Sequence, residues 1–457
     1  MTVLTTADDA TARLRGALGD RLFTAGDAGY DAARQPWNLV TDQRPFAVAV
    51  PRTDDEVAAV VAAAAASGLH ITAQATGHGA GPLRGADLSQ TVLVSLREMH
   101  AVTVDADARV ATAQGGAVWH DVLAAATPHG LTAPHGSAGD VGVVGYTLGG
   151  GLSFYGRAHG LAVGGVRRIR LVTADGQITT ASADENPDLF WALRGGAGAF
   201  GVVVSIEFDL LPYAEVFAGL MLWDGSRAAE VTRAWASWTA TAPESATTSL
   251  RIMHFPPLPE LPPFISGRSV VAIDGVILGE DAAAAALLEP LRALAPEMDT
   301  FARIPAGAVT AVHMDPPEPS AAVSEHAMLT GIDDELIDTF VRAAFEARPM
   351  ISELRHCGGA LARGASGGGA VATLEGDYLL SALSVVPVPE AVPGGIAATR
   401  AVFEALRPWH GPALALTFVD MPDHDLVPGY GANAERLAEL RRAYDADSVF
   451  VSARPVG

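Results

Sequence analysis

The chain has 457 residues, of which 49% are hydrophobic and 18% are charged, and its formal net charge is −22 at pH 7. This length exceeds one simple core, so two or more domains are expected. The negative charge argues against a nucleic-acid partner and against an anionic membrane surface. In addition, no stretch approaches the ~20 uninterrupted apolar residues of a membrane span.

The chain has one cysteine, Cys357, which excludes an intrachain disulfide. The N-terminal segment MTVLTTADDATARLRGALGD contains acidic residues, and it lacks both an apolar stretch and a twin-arginine signal. We therefore expect no signal peptide and a cytoplasmic protein.

Residues 46–81 are predicted to form a strand, a helix and a second strand that ends in a glycine-rich turn. Thr53 is expected to cap the helix 54–67, which has acidic residues in its first turn. The turn is Gln74-Ala75-Thr76-Gly77-His78-Gly79-Ala80-Gly81. Small residues after a strand let backbone N–H groups converge on an anion such as pyrophosphate. His78 is then either a nucleophile within this turn or a solvated side chain.

Short strands and one helix are predicted between residues 92 and 129. Glycine dominates from 130 to 213, where Asp175-Gly176 predicts the turn of a β-hairpin. In the segment 136–151, five glycines permit positive φ and a close approach to a flat ligand, although a glycine-rich surface loop is the alternative. These glycines are Gly142, Gly145, Gly149, Gly150 and Gly151.

A third glycine-rich segment matches GxGxxG by letter at Gly196, Gly198 and Gly201. A predicted helix precedes these glycines and a predicted strand follows them, which is the wrong order for a Rossmann fingerprint. Residues 214–409 then alternate long strands with amphipathic helices. This alternation predicts an antiparallel sheet that is covered by helices on one side.

The order of the GH turn, the VGxxG…LGGG segment and DLFWALRGG…FGVV resembles the FAD-binding domain of the vanillyl-alcohol-oxidase superfamily. The segment Tyr430–Leu437, followed by Tyr444-Asp445, resembles the ending of its berberine-bridge-type FAD-linked oxidases. The resemblance covers residues 28–212 and 410–457. It implies an α+β fold with a PCMH-type FAD-binding domain at 1–212, a substrate domain at 213–409 and a C-terminal segment, 410–457, that returns to the FAD domain.

The resemblance implies FAD as the cofactor, bonded covalently to His78. A second link is common in the family, from a cysteine whose position is Ala138 here, so a single histidyl link is expected. The cofactor-binding residues that the resemblance implies are Gln74, Ala75, Thr76, Gly77, His78, Gly79, Gly136, Ser137, Asp140, Val141, Gly142, Gly145, Tyr146, Gly149, Gly150, Gly201, Val203 and Asn433.

Val141 resembles the family's gatekeeper beside the flavin, where valine leaves room for dioxygen; an ordinary packed valine is the alternative. Tyr146 matches a position that approaches the flavin N1/C2=O edge, and a core tyrosine is its alternative. The candidate bases are Tyr430, then Tyr378, with Glu353, His356 and Asp420 behind them. No HExxH pattern and no GxSxG nucleophile elbow is found, so neither a metal site nor a serine-hydrolase triad is predicted.

The predicted function is a FAD-dependent oxidase of an alcohol, hemiacetal or amine, whose partners are a small-molecule substrate and dioxygen. One alternative is a flavoenzyme of natural-product tailoring in secondary metabolism, with cyclisation, oxygenation or rearrangement as the net reaction. The other is a non-catalytic flavin-binding protein.

Overall fold

The computed structural model describes residues 6–365 and 367–457. The first five residues, which belong to the segment used above to predict that a signal peptide is absent, lie outside this range. Within it, no helix is long and apolar enough to cross a membrane.

Helices and strands alternate along the described chain. The strands are β1 (Leu22–Thr24), β2 (Ala47–Ala49), β3 (His70–Gln74), β4 (Thr91–Ser95), β5 (Val102–Asp105), β6 (Val110–Gln114), β7 (Val166–Val172), β8 (Ile178–Ser182), β9 (Val202–Asp209), β10 (Glu215–Asp224), β11 (Ala246–His254), β12 (Ser269–Ile277), β13 (Met298–Asp299), β14 (Ala302–Pro305), β15 (Ala322–Leu329), β16 (Ile351–His356) and β17 (Tyr378–Val385). The helices are α1 (Ala7–Leu18), α2 (Tyr30–Arg34), α3 (Asp54–Ala65), α4 (Trp119–Ala126), α5 (Val143–Leu148), α6 (Gly156–His159), α7 (Pro187–Gly196), α8 (Ala228–Thr239), α9 (Asp281–Arg292), α10 (Asp334–Ala347), α11 (Ala360–Arg363), α12 (Val392–Ala405), α13 (Val427–Tyr430) and α14 (Ala434–Tyr444).

Residues 6–212 contain two sheets. The first has the order β1-β2-β4-β3, in which β2, β4 and β3 are parallel. As predicted, Thr53 caps α3, because its hydroxyl accepts a hydrogen bond from the backbone N–H of Glu56 at 3.2 Å. This cap orients α3 between β2 and β3, and β3 then leads directly into the turn that carries His78.

The second sheet has the order β5-β6-β9-β7-β8 and is antiparallel. The predicted hairpin is present: β7 and β8 pair, and Gly176 between them has a φ of 76°. The helices α5 and α7 pack on this sheet and carry the second and third glycine-rich segments. The segment 136–151 contains the short helix α5, so the alternative of a glycine-rich surface loop is wrong.

The C-terminal segment lies against the first sheet. The backbone N–H of Ile71 donates to the carbonyl of Val449, and the N–H of Val451 donates to the carbonyl of Ile71, both at 2.8 Å. Phe450 between them is buried in the core of that sheet. The end of the chain is therefore paired with β3, the strand that leads into the turn of His78.

Residues 213–409 contain one antiparallel sheet with the order β13-β10-β12-β11-β16-β17-β15, and β14 also pairs with β10. One face packs against α8, α9, α10 and α12 through a core that includes Trp235, Leu250 and Phe340. The prediction of an antiparallel sheet with helices on one side is thus confirmed. The sheet's other face is available to line a site, although the sequence analysis missed β15.

Candidate active site

A cavity of about 520 Å³ lies between the glycine-rich segments and the helix-free face of the large sheet. Four stretches of the first domain line it: the turn 72–80, the segments 136–149 and 195–203, and the C-terminal residues 451–454. The opposite wall comes from β15, β16 and β17 and from residues 313–320. The predicted anion turn and the predicted substrate sheet therefore face each other across one space.

His78 lines the cavity and is held on three sides. Its Nδ1 lies 2.8 Å from the hydroxyl of Thr76, and its ring stacks on Trp37 with 4.2 Å between centroids. Its Nε2 lies 3.5 Å from Oδ1 of Asp140, beyond hydrogen-bond alignment, and is buried without a hydrogen-bond partner. Asp140 is itself fixed by the indole N–H of Trp37 at 2.6 Å. The imidazole is thus oriented while one ring nitrogen remains unused.

Gly77 has a φ of 84°, a left-handed conformation that glycine adopts at little cost. A Cβ at this position would lie 2.5 Å from the Cβ of Pro36 and 2.7 Å from its Cα. Gly145, which lines the cavity, has no atom within 4 Å of the position of a Cβ. Glycine at 77 therefore lets the turn pack closely before His78, and glycine at 145 leaves room for a ligand.

Val141 and Tyr146 both line the cavity. The ring of Tyr146 packs edge-on against Trp119 at 5.4 Å between centroids. Its hydroxyl is buried without a hydrogen-bond partner. Burial raises the pKa of Tyr146 well above its usual range, so the phenol remains a proton-bearing donor at neutral pH.

Most of the predicted cofactor residues lie together. Those that line the cavity are Gln74, Ala75, Thr76, Gly77, His78, Gly79, Gly136, Ser137, Val141, Gly142, Gly145, Tyr146, Gly149, Gly201 and Val203. Asp140 does not line the cavity, but it contacts His78 and Trp37, which do. Gly150 and Asn433 lie outside the lining, and the Asn433 amide donates to the carbonyl of Ala370 at 2.9 Å. Cofactor binding by each lining residue stays a prediction.

Tyr378 must be removed from the candidate bases, because its side chain lies on the other face of the sheet. Its hydroxyl is 2.7 Å from that of Thr239 on α8, and its ring packs in the core under the helices. In β17 the even-numbered residues face the helices, whereas Ser381, Leu383 and Val385 line the cavity. His356 in β16 also lies on the helix side, where it stacks on Tyr378 at 5.7 Å.

Tyr430 ends α13 and is also absent from the cavity lining. It packs in the core of the first domain, and its hydroxyl is buried without a partner. Burial raises its pKa to about 12, against a smaller opposing effect of Arg454. A phenol in that position and state is no base for a substrate in the cavity, so this prediction also requires correction.

Asp420 lines the cavity, but both carboxylate oxygens have structural partners. Oδ1 accepts from the amide of Asn38 at 3.2 Å, and Oδ2 accepts from the backbone N–H of Ser324 at 3.0 Å. Burial is the main cause that raises its pKa, and these hydrogen bonds oppose the rise. Asp420 therefore ties β15 to residue 38 of the first domain.

Several lining residues were missed by the sequence analysis: Trp37, His313, Asp315, Arg355 and Arg454. The guanidinium of Arg454 lies 3.1 Å from the position of a Cβ at Gly79, which puts a cation beside the anion turn. No local motif in the sequence marks Arg454 as part of a site. Only the pairing of residues 449–451 with β3 brings it to the turn.

The wall from the large sheet is strongly polar. Glu353 and Arg355 alternate on β16, and their nearest atoms, Oε1 and Nε, are 2.9 Å apart. Arg355 also lies over the ring of Phe418, 5.1 Å from its centroid. His313 approaches both residues from the loop after β14, with 3.6 Å from its Nε2 to Oε1 of Glu353. Glu353 is thus the one predicted base on this wall.

These features fit a bound FAD. The open space at Gly145 can take a flat ring, and Arg454 beside Gly79 offers a charge partner to a pyrophosphate. The free hydroxyl of Tyr146 and the free nitrogen of His78 are polar groups that await a partner. Independently, a family model described as "FAD binding domain" matches residues 45–182.

The chain is similar to curated proteins over part of their length. It is 33% identical to glucooligosaccharide oxidase of Sarocladium strictum over 49% of this chain and 46% of that protein. It is 35% identical to (R)-6-hydroxynicotine oxidase of Paenarthrobacter nicotinovorans over 43% of each. The matched segments thus span less than half of these relatives.

Solved structures resemble the chain over nearly its whole length. The wild-type BBE-like 1 protein of Physcomitrella patens has a TM-score of 0.83 at 21% identity, with 99% of both chains covered. Glucooligosaccharide oxidase from Acremonium strictum has a TM-score of 0.83 at 23% identity, with 98% of both covered. These likenesses establish the fold, which the chain shares with BBE-like 1 and with glucooligosaccharide oxidase, and the family match shows a FAD-binding domain over residues 45–182.

Proposed function

We propose that this chain is an oxidase that holds FAD through a covalent bond to His78 and removes two hydrogens from a small-molecule alcohol, hemiacetal or amine. The observation that carries the proposal is the cavity itself, in which a fixed imidazole and glycine-rich segments face a polar, acid- and base-bearing wall. When bound, FAD supplies the two-electron acceptor that this chemistry requires.

The residues of the chain then have distinct tasks. Trp37, Thr76 and Asp140 orient the imidazole of His78, and Arg454 offers charge to the phosphates. The phenol of Tyr146 is a donor to a ligand oxygen on which negative charge grows. The substrate binds between the first-domain wall and β16. Its reacting C–H faces the flavin, and its O–H or N–H faces the polar groups of the sheet.

The names of the relatives support this substrate range. Glucooligosaccharide and (R)-6-hydroxynicotine are the substrates in the names of two of them, one a carbohydrate and one an amine. The structure from Acremonium strictum is described as containing 6-S-cysteinyl, 8α-N1-histidyl FAD. Here Ala138 lines the cavity, and Cys357 is buried outside it, so we propose the histidyl bond alone.

Dioxygen is the proposed electron acceptor because Val141 is a small side chain in the cavity wall. A Phl p 4 variant that gains a valine in place of an isoleucine is described as a glucose oxidase, and this parallel supports the proposal.

The covalent bond to FAD is tested first, by the colour of the protein. Purified protein should be yellow, and the pellet after acid precipitation should stay yellow. His78→Ala should give a colourless pellet, whereas His100→Ala, which replaces an exposed histidine of the same domain, should retain the colour. A colourless wild-type pellet would contradict the covalent bond.

Activity is tested by anaerobic mixing with gluco- and xylo-oligosaccharides, aromatic alcohols, cyclic amines and polyketide-like hydroxyl compounds. At least one should bleach the flavin absorbance, and air should restore the colour with one peroxide formed per substrate consumed. Bleaching by none of these classes would overturn the proposed activity, and reoxidation by quinones alone would overturn the role of dioxygen.

A further inference from the structure

We propose that His313 is the catalytic base of this reaction, with Asp274 as its positioning residue; the inference rests on the proposed function. His313 lies in the loop between β14 and β15 and lines the cavity, although it is only 3% exposed. Its ring therefore lies between a network of buried polar side chains on the sheet and the cavity in which the proposed substrate binds.

The network beneath His313 is built from paired strands. Ser249 on β11 and Asp274 on β12 are directly opposite each other, and so are Arg251 on β11 and Glu353 on β16. The residues next to them along the strands, Leu250, Ile252 and Ile273, pack in the core under the helices. Because side chains alternate along a strand, the four polar side chains lie on the opposite face of the sheet. The sheet thus presents one polar belt to the loop that carries His313.

Asp274 is fully buried and fixed by this belt. Its Oδ2 lies 2.9 Å from Nδ1 of His313, and its other oxygen accepts from the hydroxyl of Ser249 at 2.5 Å. Arg251 forms an ion pair with the same carboxylate and donates to the backbone carbonyl of His313 at 2.7 Å. Burial opposes ionisation of Asp274, but Arg251, His313 and Ser249 together lower its pKa, so it is a carboxylate at neutral pH.

These contacts fix the tautomer of the imidazole. A carboxylate only accepts hydrogen bonds, so Nδ1 of His313 must carry a proton. On the other side, Nη2 of Arg355 lies 3.3 Å from Nε2, and a guanidinium only donates, so this contact is a hydrogen bond in the tautomer whose Nε2 carries the lone pair. The neutral ring therefore presents its basic nitrogen towards the cavity, which is the arrangement that a general base requires.

The groups around Nε2 also suit the charge that the ring would acquire. Oε1 of Glu353 lies 3.6 Å away and Oδ1 of Asp315 lies 3.9 Å away, while Asp274 faces the opposite nitrogen. Arg355 and Arg251 are the cations nearby, and Phe154 packs edge-on at 6.0 Å. Three carboxylates against two guanidinium groups stabilise an imidazolium.

The proposed step balances. The O–H or N–H bond of the substrate breaks, its proton goes to Nε2 of His313, and its electron pair forms the new C=O or C=N bond. The hydrogen on the adjacent carbon leaves with two electrons to the FAD, so the substrate is oxidised and the FAD is reduced. Asp274 does not take the proton; it holds the ring and balances the imidazolium charge.

The other acids and bases on the cavity wall are less suited. Glu353 is engaged in an ion pair with Arg355, and both oxygens of Asp420 already accept hydrogen bonds. His313 is the histidine whose two nitrogens are both oriented, one by a buried carboxylate and one towards the cavity.

His313→Gln is the decisive variant, because glutamine can still donate to Asp274 but cannot accept a proton. His356→Gln is the matched control, since His356 is a buried histidine on the opposite face of the same sheet. In stopped-flow mixing with the fastest compound of the panel above, H313Q should reduce the flavin at least ~10²-fold more slowly, the low end for general-base catalysis. H356Q should reduce it at the wild-type rate.

The pH profile separates a base from a structural residue. In the wild type, the limiting rate of flavin reduction should rise with pH through one ionisation, and in H313Q this ionisation should disappear. Asp274→Asn breaks the buried pair with Arg251 and is expected to destabilise the sheet. For this reason H313Q, and not a variant of Asp274, is used for the test. A rate within threefold of wild type, or an unchanged pH profile, in folded H313Q would overturn the proposal.

Nitrogen NMR of the holoenzyme labelled with ¹⁵N-histidine gives a readout that needs no substrate. The resonances that vanish in H313Q should report a neutral ring protonated at Nδ1. A ring protonated at Nε2 would overturn the assignment of His313 even if the enzyme proves active. Flavin that dithionite bleaches, but no panel compound does, would instead count against the proposed function.

Discussion

Gly77→Ala is expected to damage the anion turn far more than an ordinary glycine replacement. Gly77 has a φ of 84°, and a left-handed L-residue costs roughly 1–2 kcal/mol. The new Cβ would also lie 2.5 Å from Cβ and 2.7 Å from Cα of Pro36, so backbone must move. Overpacking of this kind adds about 1–3 kcal/mol, for a total of about 2–5 kcal/mol.

Gly85→Ala separates the two contributions. Gly85 has a φ of 80°, yet no atom lies within 4 Å of the position of its Cβ. It should therefore lose only the conformational part, about 1–2 kcal/mol. Because Gly77 precedes His78, only the Gly77 variant should also shift the imidazole away from Trp37 and Thr76.

The assay measures two quantities on both variants: the midpoint of urea unfolding and the fraction of chains whose flavin survives acid precipitation. We expect G85A to load fully and G77A to load poorly, with the lower unfolding midpoint in G77A. The reasoning is refuted if G77A loads and unfolds like G85A.

Three further outcomes are expected. Val141→Ile should slow reoxidation by dioxygen while leaving substrate reduction nearly unchanged, which double-mixing stopped flow measures; equal reoxidation rates would remove the role of Val141. Tyr146→Phe should slow flavin reduction by about 10²-fold, the loss typical of one donor to developing charge, whereas the unfolding midpoint of the flavin-free protein should not fall because no protein group is bonded to the hydroxyl. Stability should fall between pH 7.5 and pH 5, because histidines that are buried neutral have a lower pKa folded than unfolded, so the unfolded state takes up more protons as the pH falls. Burial lowers the pKa of His135, His326 and His356 to about 4, 3 and 3. Each contributes about 2 kcal/mol of this loss at pH 5, and His424, whose pKa is raised chiefly by the carboxylate of Glu325 at 3.3 Å from its Nε2, opposes it. A midpoint of urea unfolding that stays constant or rises towards pH 5 would contradict this sign.

Local patterns predicted most of the first-domain residues that line the cavity. The turn at His78 and the segment 136–149 are each contiguous in sequence and rich in glycine, and in the turn Gly77 has a positive φ. A cap such as Thr53 and a turn such as Asp175-Gly176 depend on neighbours a few residues away. For this reason their structures agree with the predictions.

The substrate side could not be read from local patterns. In β17 a shift of one residue decides between the cavity and the helices, and both faces of this strand carry apolar residues. The face of Tyr378 was therefore undetermined. No local motif marks His313, because its partners Asp274 and Glu353 are 39 and 40 positions away and meet it through strand pairing.

The central claim is that FAD is bonded to His78, and peptide mapping tests it most directly. Trypsin should release residues 53–84, a peptide that contains two histidines, His70 and His78, and no cysteine. His70 serves as an internal control, because its Nδ1 bonds to the carbonyl of Ser448 outside the cavity lining. The account predicts that fragmentation places one flavin on His78. A flavin on any other residue, or an unmodified peptide from yellow protein, would contradict it.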